Sequence, residues 1–311
     1  MRRILAAGLS PTLQKTIAFK NLTVDAVNRS QGYRIDASGK AVNASRVLDQ
    51  LEKGCVKNLC PLGSDNADFF LELAARDGLP VVPLYTTGRV RYCYTLVEPG
   101  SGRATELVVS EPVGSDDYAA LAAELVSMLK REAAEADAFV FAGSRPSFWP
   151  AGLCADLCAA AREQGLLVMA DFHGPDLART IEKAVPDIIK INEEEFCGTF
   201  GFPFPLPEPE LTKAIADKSR ELDSLIVITR GSKDTFAADR GELHRQKVTP
   251  VTALNAIGCG DSFTAGFLHE WLASGSVPLA LAEGGRCAAL NALNLRPGSI
   301  RDPGAEGETL W

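Results

Sequence analysis

Asn255-Ala256-Ile257-Gly258-Cys259-Gly260-Asp261-Ser262-Phe263-Thr264-Ala265-Gly266-Phe267 is the stretch whose reading decides the fold. It reads as a turn feeding a helix. Gly258 and Gly260 reach backbone angles that other residues resist. Phe263, Phe267, Leu268 and Trp271 then recur as an apolar stripe at helical spacing. The first N–H groups of a helix have no intrahelical partner and carry partial positive charge, so this start is an anion site. An Asp beside an anion site is electrostatically misplaced, unless it takes a proton from a nucleophile that attacks the anion. Asp261 therefore reads equally as a general base in phosphoryl transfer and as an ordinary N-cap.

Outward from this stretch the chain alternates strands and helices. Apolar runs at 3–9, 56–62, 79–84, 138–142, 166–170, 187–191 and 225–229 predict strands. Helical spacing appears up to Leu51 and over 67–76, 118–132, 151–164, 211–221 and 279–293. Repeated strand–helix units predict a mostly parallel sheet with helices on both faces and right-handed crossovers. Ligands bind such sheets beyond the carboxyl ends of the strands. Ser10-Pro11-Thr12-Leu13-Gln14 is expected there as a loop after the first strand, and Gly143-Ser144-Arg145-Pro146 and Asn192 at later strand ends. Two places break the alternation. Residues 15–36 look like short strands, and 89–98 and 103–110 are strand-like segments joined by the turn Pro99-Gly100-Ser101-Gly102. They predict a small separate sheet that covers a site and excludes water. The expected division is an α/β body at 1–12, 37–87 and 111–311, with a β-sheet lid at 13–36 and 88–110.

The 311 residues accommodate one large α/β domain or two ordinary ones. A net charge of −8 disfavours a nucleic-acid surface but leaves room for a local basic pocket. No apolar run reaches membrane-span length, and the opening run is too short for a signal peptide, so a cytoplasmic chain is expected. The eight cysteines lack zinc spacing and read as buried small hydrophobes in a reducing compartment. Ser38-Gly39-Lys40 is a second small-residue turn opening a helix. It lacks the spacing of a Walker A loop, and Lys40 reads as a ligand contact or as a surface lysine.

Four motifs stand in order along nearly the whole chain. Asn255 to Phe267 resembles the C-terminal signature of the ribokinase-like (PfkB) carbohydrate kinases. Ser38-Gly39-Lys40-Ala41-Val42-Asn43 is similar to that family's Gly-Gly-Lys-Gly-x-Asn segment. Gly143-Ser144-Arg145-Pro146 is similar to its Gly-Ser-Leu-Pro loop, and Ile189-Lys190-Ile191-Asn192-Glu193-Glu194-Glu195 to its Lys-Pro-Asn-x-x-Glu segment. The nearest branch is that of the 1-phosphofructokinases and tagatose-6-phosphate kinases.

The resemblance implies a three-layer α/β/α fold with a mostly parallel central sheet and a β-sheet lid. It implies transfer of phosphate from ATP, with Mg²⁺, to a sugar phosphate or sugar of fructose-1-phosphate or tagatose-6-phosphate type, in a homodimer paired through the lid. Asp261 becomes the base, and the N–H groups around Gly258, Cys259 and Gly260 the anion hole. Asn192 and Glu195 organise Mg²⁺ through water. Lys190, Thr229, Gly231, Lys233 and Asn291 fall on the nucleotide side, with Asn291 near the adenine. Gly39, Lys40, Asn43, Ser144, Arg91 and Arg145 fall on the acceptor side, Arg91 as a guanidinium suited to a phosphate. Gln14 departs from the family's Asp, so hydroxyl recognition differs. A nucleoside or small-alcohol kinase and a non-catalytic sugar or nucleotide sensor are the alternatives.

Overall fold

The computed structural model describes residues 2–30 and 32–301. Met1, Gln31 and 302–311, which belong to the expected body and lid, lie outside the described residues. The chain opens with β1 (Ile4–Ala7), β2 (Thr12–Ala18), β3 (Gly32–Ser38), α1 (Lys40–Leu51), β4 (Val56–Gly63), α2 (Ala67–Arg76), β5 (Val81–Thr86), β6 (Arg91–Glu98) and β7 (Arg103–Leu107). It continues through α3 (Tyr118–Ala133), β8 (Ala138–Ala142), α4 (Leu153–Glu163), β9 (Leu167–Asp171), α5 (Gly174–Lys183), β10 (Ile188–Asn192), α6 (Glu193–Phe200) and α7 (Glu208–Leu222). The last elements are β11 (Leu225–Arg230), β12 (Lys233–Asp239), β13 (Glu242–Gln246), α8 (Cys259–Ser274) and α9 (Val277–Ala292).

A nine-stranded sheet runs in the order β13-β12-β11-β10-β9-β8-β1-β4-β5. The pairings from β5 across to β11 are parallel, and β12 and β13 extend the edge as an antiparallel hairpin. Both faces of the parallel part are covered, which is why strands such as Ala138–Ala142 are apolar throughout rather than alternating. Successive residues feed opposite layers. Ile4 and Ala6 pack with Ala44, Phe263 and Val277 of α1, α8 and α9. Leu5 and Ala7 pack with Leu125, Leu153 and Leu211 of α3, α4 and α7.

The chain leaves β1 outward to β4 and β5, then returns to β8 on the other side of β1. The strand order therefore reverses between β1 and β8, where open α/β sheets form their ligand crevice. A second, four-stranded sheet in the order β3-β2-β6-β7 stands over this point. Gln14 on β2 lies opposite Asp36 on β3 and Cys93 on β6.

Three expectations change. Thr12, Leu13 and Gln14 are not loop, because they begin β2 and pair with both β3 and β6. Residues 174–183 form a full helix, started by Gly174-Pro175, that the turn residues before it concealed. The helix α8 is buried all round from Asp261 to Leu268 rather than along one stripe. Small residues permit this: a Cβ on Gly266 would come within 2.8 Å of Glu283 O on α9.

Candidate active site

A cleft of about 330 Å³ opens at the reversal point between the two sheets. It brings together Gln14, Gly39, Lys40, Asn43, Arg91, Ser144, Gly258 and Asp261, which lie far apart in sequence. Its floor is the start of α8. Gly258 takes a left-handed φ of 82° there, and a Cβ on it would lie 2.6 Å from Gly298 N. Only glycine fits this approach. Ser262 N donates to Gly258 O at 2.8 Å, closing the first helical turn and leaving the N–H groups ahead of it to the helix end. Cys259 N donates back to Ala256 O at 3.3 Å, a long bond, so it is the least free of these donors.

Asp261 sits at this turn and is buried. Its Oδ2 accepts from Asn43 Nδ2 at 2.9 Å. Burial, countered by Lys40 and reinforced by Asp171, leaves the Asp261 carboxyl above the usual carboxylate range. Gly39 precedes α1 with φ 117°, and its missing Cβ would lie 2.8 Å from Ser10 O. That close approach sets Lys40 and Asn43 against the start of α8.

Beneath the cleft lies a carboxylate between two ammonium groups. Asp171, at the end of β9 and 1% exposed, faces Lys190 Nζ at 3.2 Å and Lys40 Nζ at 3.7 Å. Thr264 Oγ1 donates to Asp171 Oδ2 at 2.5 Å. Burial alone would raise the Asp171 carboxyl, but the two lysines and these hydrogen bonds hold it below its usual range. Asp171 in turn holds Lys40 charged, against burial and with help from Asp261 and Glu195. Lys190 Nζ also donates to Gly260 O at 3.1 Å, so it braces the first turn of α8 from below.

The lid-side wall carries Arg91, whose Nη1 donates to Val109 O at 2.9 Å and Nη2 to Ser10 Oγ at 2.7 Å. Glu111 lies 3.5 Å from Arg91 Nε and accepts from Ser10 Oγ. Burial raises the Glu111 carboxyl despite Ser10 and Arg91. Gln14 is 2% exposed, and its Nε2 donates to Thr95 Oγ1 at 2.7 Å, so its oxygen is the end left for the cleft. Arg145 does not line the cleft. Asp176 on α5 takes its Nε at 3.0 Å, and Trp149 O takes its Nη1 at 2.6 Å.

On the other side, Asn192 and Glu195 form a reciprocal capping box at the start of α6, each bond 2.8 Å. Glu195 Oε1 lies 3.6 Å from His173 Nε2. Thr229 is the register partner of Asn192, Gly231 follows in the exposed turn, and Lys233, also exposed, begins β12. Asn291 does not reach outward. It is fully buried, donates to Ile257 O at 2.8 Å and to Cys259 Sγ at 3.3 Å, and accepts from Gly298 N at 2.7 Å. It ties the loop before α8 to the segment after α9.

The model of the family described as pfkB family carbohydrate kinase matches residues 12–300. The chain belongs to the pfkB family of carbohydrate kinases. A relative within it, the 1-phosphofructokinase of Rhodobacter capsulatus, is 31% identical over 289 residues, covering 92% of this chain and 88% of its own. The tagatose-6-phosphate kinase of Staphylococcus epidermidis is 23% identical over 299 residues, covering 96% and 94%. The tetrameric inhibited form of phosphofructokinase-2 from Escherichia coli superposes with a TM-score of 0.82 at 18% identity, covering 94% of this chain and 95% of that one. The pfkB fold, ribokinase-like with a large mostly parallel sheet and a small second one, is thus shared along nearly the whole chain.

Set against the pfkB motifs, the residues that sequence reasoning missed are Asp171, Arg46 and Glu111, while Ser38 was seen as part of a turn but given no role. Asp171 had a usable signal, a carboxylate ending a parallel strand in the manner of Asn192. Arg46 and Glu111 had none, because each is placed by contacts distant in sequence.

Proposed function

We propose that this chain transfers the γ-phosphoryl group of ATP to a hydroxyl of a sugar phosphate or sugar, the acceptor being of fructose-1-phosphate or tagatose-6-phosphate type. The observation that carries this reading is Asp261: a buried carboxylate at a glycine-flanked helix start, hydrogen-bonded to Asn43. In the reaction the acceptor hydroxyl gives its proton to Asp261 as its oxygen bonds to the γ-phosphorus. The bond from that phosphorus to the bridging β–γ oxygen breaks, and ADP leaves. The N–H groups at the start of α8 offset charge on the transferring group, one such donor being worth roughly 10²–10³ in kcat. Lys40, kept charged by Asp171, adds a cation beside the same place.

The donor set near Asn192 fits Mg²⁺. One carboxylate and one amide oxygen suit a cation that keeps most of its waters and is held partly by substrate phosphates. Mg²⁺ bound there would neutralise phosphate charge. On the acceptor side Arg91 takes the substrate phosphate, since a guanidinium donates two parallel hydrogen bonds. The four-stranded sheet acts as a lid, and exposed Val27, Tyr33, Leu107 and Val109 on and beside it support pairing of two copies of this cytoplasmic enzyme.

The test is an ADP-release screen over phosphorylated and free ketohexoses, aldohexoses, pentoses and nucleosides. The expected best acceptor is a ketohexose phosphate, with kcat/KM at least ~100-fold above its free sugar, the scale of losing charge-assisted hydrogen bonds. Equal turnover of free sugars or nucleosides would sink the acceptor assignment. ATP binding without turnover on any acceptor would leave a sensor.

A further inference from the structure

Arg46 of α1 is 1% exposed, yet the family motifs give it no part. Its guanidinium is spent inside the fold. Nε donates to Asp77 Oδ2 at 2.8 Å, Nη1 to Pro297 O at 3.0 Å and to Asn43 Oδ1 at 3.2 Å, and Nη2 to Ala37 O. Ser38 Oγ donates to the same Asn43 oxygen at 2.9 Å. An amide has one acceptor end and one donor end. Two donors on Asn43 Oδ1 therefore fix which way the amide lies, and the end left over, Nδ2, is the one on Asp261 Oδ2.

A second path runs from the same guanidinium. Pro297, whose carbonyl Arg46 holds, is followed by Gly298, whose N–H donates to Asn291 Oδ1 at 2.7 Å. Asn291 Nδ2 donates to Ile257 O at 2.8 Å, directly before Gly258. Gly298 also seats the two halves against each other, because a Cβ on it would lie 2.6 Å from Asn43 Cβ. One buried cation is thus linked to the carboxylate through Asn43 and to the helix-start loop through 297–298 and Asn291.

From this we infer that Arg46, with Ser38, is a positioning residue that locks the Asn43 amide onto Asp261 and sets that carboxylate in register with the anion site at Gly258. The inference rests on Asp261 being the base. The charged and titratable groups facing Asp261 are Lys40 from α1, Asp171 from β9, Lys190 from β10 and the Cys259 thiol on α8 itself. The lock adds a hydrogen bond to the ionised carboxylate, which favours that form. Loosening it therefore moves the acid limb of the reaction to higher pH.

The experiment compares Ser38→Ala, Arg46→Lys and Asp261→Asn with the wild-type enzyme in kcat and kcat/KM from pH 5 to 9, with thermal melting of each. Ser38→Ala guards against Arg46→Lys failing to fold, since it removes one small hydroxyl. The expected result is kcat lowered about tenfold near neutral pH in both lock variants, recovered as pH rises, with KM for ATP within twofold. A loss of equal size at every pH, or an unchanged profile in both, overturns the lock while Asp261→Asn stays inactive. Wild-type turnover by Asp261→Asn would remove the base reading and this inference with it.

Discussion

Asp261 and Asp171 face the same pair of lysines, yet their carboxyl groups are displaced in opposite directions, Asp261 up and Asp171 down. The difference follows from contact. Asp171 touches Lys190 at 3.2 Å and Lys40 at 3.7 Å and takes the Thr264 hydroxyl, whereas Asp261 has a neutral amide as its hydrogen-bond partner. One carboxylate is a fixed counter-charge and the other is available to take a proton. In the proposed reaction this separation suits Asp171 to the counter-charge and Asp261 to the base.

The first prediction concerns Asp261→Asn. Removing a positioned general base typically lowers kcat by ~10²–10⁴, and KM for ATP stays within a few fold. Stability moves the other way. A carboxyl raised by folding favours the folded state below its unfolded pKa, and that contribution is lost as pH rises through the folded pKa. At neutral pH the ionised group is a net cost, which the neutral amide removes. Thermal melting at pH 7 is expected to rise by about 1–3 °C in the variant, with the gain fading toward pH 4. A variant both active and unchanged in melting refutes the assignment.

Asp171→Asn tests the counter-charge. Its negative charge raises Asp261, so neutralising it moves the acid limb of kcat/KM to lower pH. The same change leaves Lys190, itself buried, without its carboxylate, a loss of about 3 kcal/mol for breaking such a pair. Wild-type Asp171 contributes stability above its unfolded pKa that disappears as pH falls through its lowered folded pKa. The variant is therefore less stable at pH 7 but less sensitive to acid. Denaturant titration at pH 7 and at about pH 3, below the ordinary carboxylate value of 3.8, reads both effects, and an acid limb shifted upward would contradict the charge argument.

What was legible in the sequence was whatever local pattern determines. Strand ends and the Asn192–Glu195 helix start are set by neighbours within a few residues, and Gly39 and Gly258 mark turns by their residue type, although the backbone each approaches, Ser10 O and Gly298 N, is distant in sequence. The amide of Asn291 could not be placed this way. Its partners Ile257 and Gly298 come from separate segments, so an apparent outward helix residue became a buried brace. Arg145 was aimed at the cleft from its loop position, but α5, unseen in the sequence, brings Asp176 to it. Arg46 carries no local signal, because Asp77, 31 residues later, is what folds onto it.

Arg91 gives a third prediction, on the acceptor. Ser10 and Val109 hold its guanidinium in place, and in the proposed acceptor site Glu111 is the charge that a substrate phosphate would displace. Arg91→Ala is expected to raise KM for a phosphosugar by ~10–100-fold, the loss of one or two charge-assisted hydrogen bonds, with KM for ATP unchanged. Arg91→Lys recovers little, because a point charge cannot keep both Ser10 and Val109 while meeting a phosphate. Unchanged affinity for every phosphosugar in Arg91→Ala places the acceptor phosphate elsewhere.

Glu195 separates two roles that one side chain combines. As the return arm of the capping box it accepts from Asn192 N through Oε2, while Oε1 faces His173 across 3.6 Å. Glu195→Gln can still accept that backbone hydrogen bond, so α6 keeps its start, and melting is expected to fall by less than ~1 kcal/mol in stability, the scale of a weakened cap. The charge is what the substitution removes. If Glu195 organises Mg²⁺ through water, the Mg²⁺ concentration for half-maximal turnover rises by ~10–100-fold, the usual effect of losing an outer-sphere partner. Saturating Mg²⁺ then restores most of kcat. Turnover that falls by the same factor at all Mg²⁺ concentrations would instead trace the loss to Lys40, whose charge Glu195 also supports.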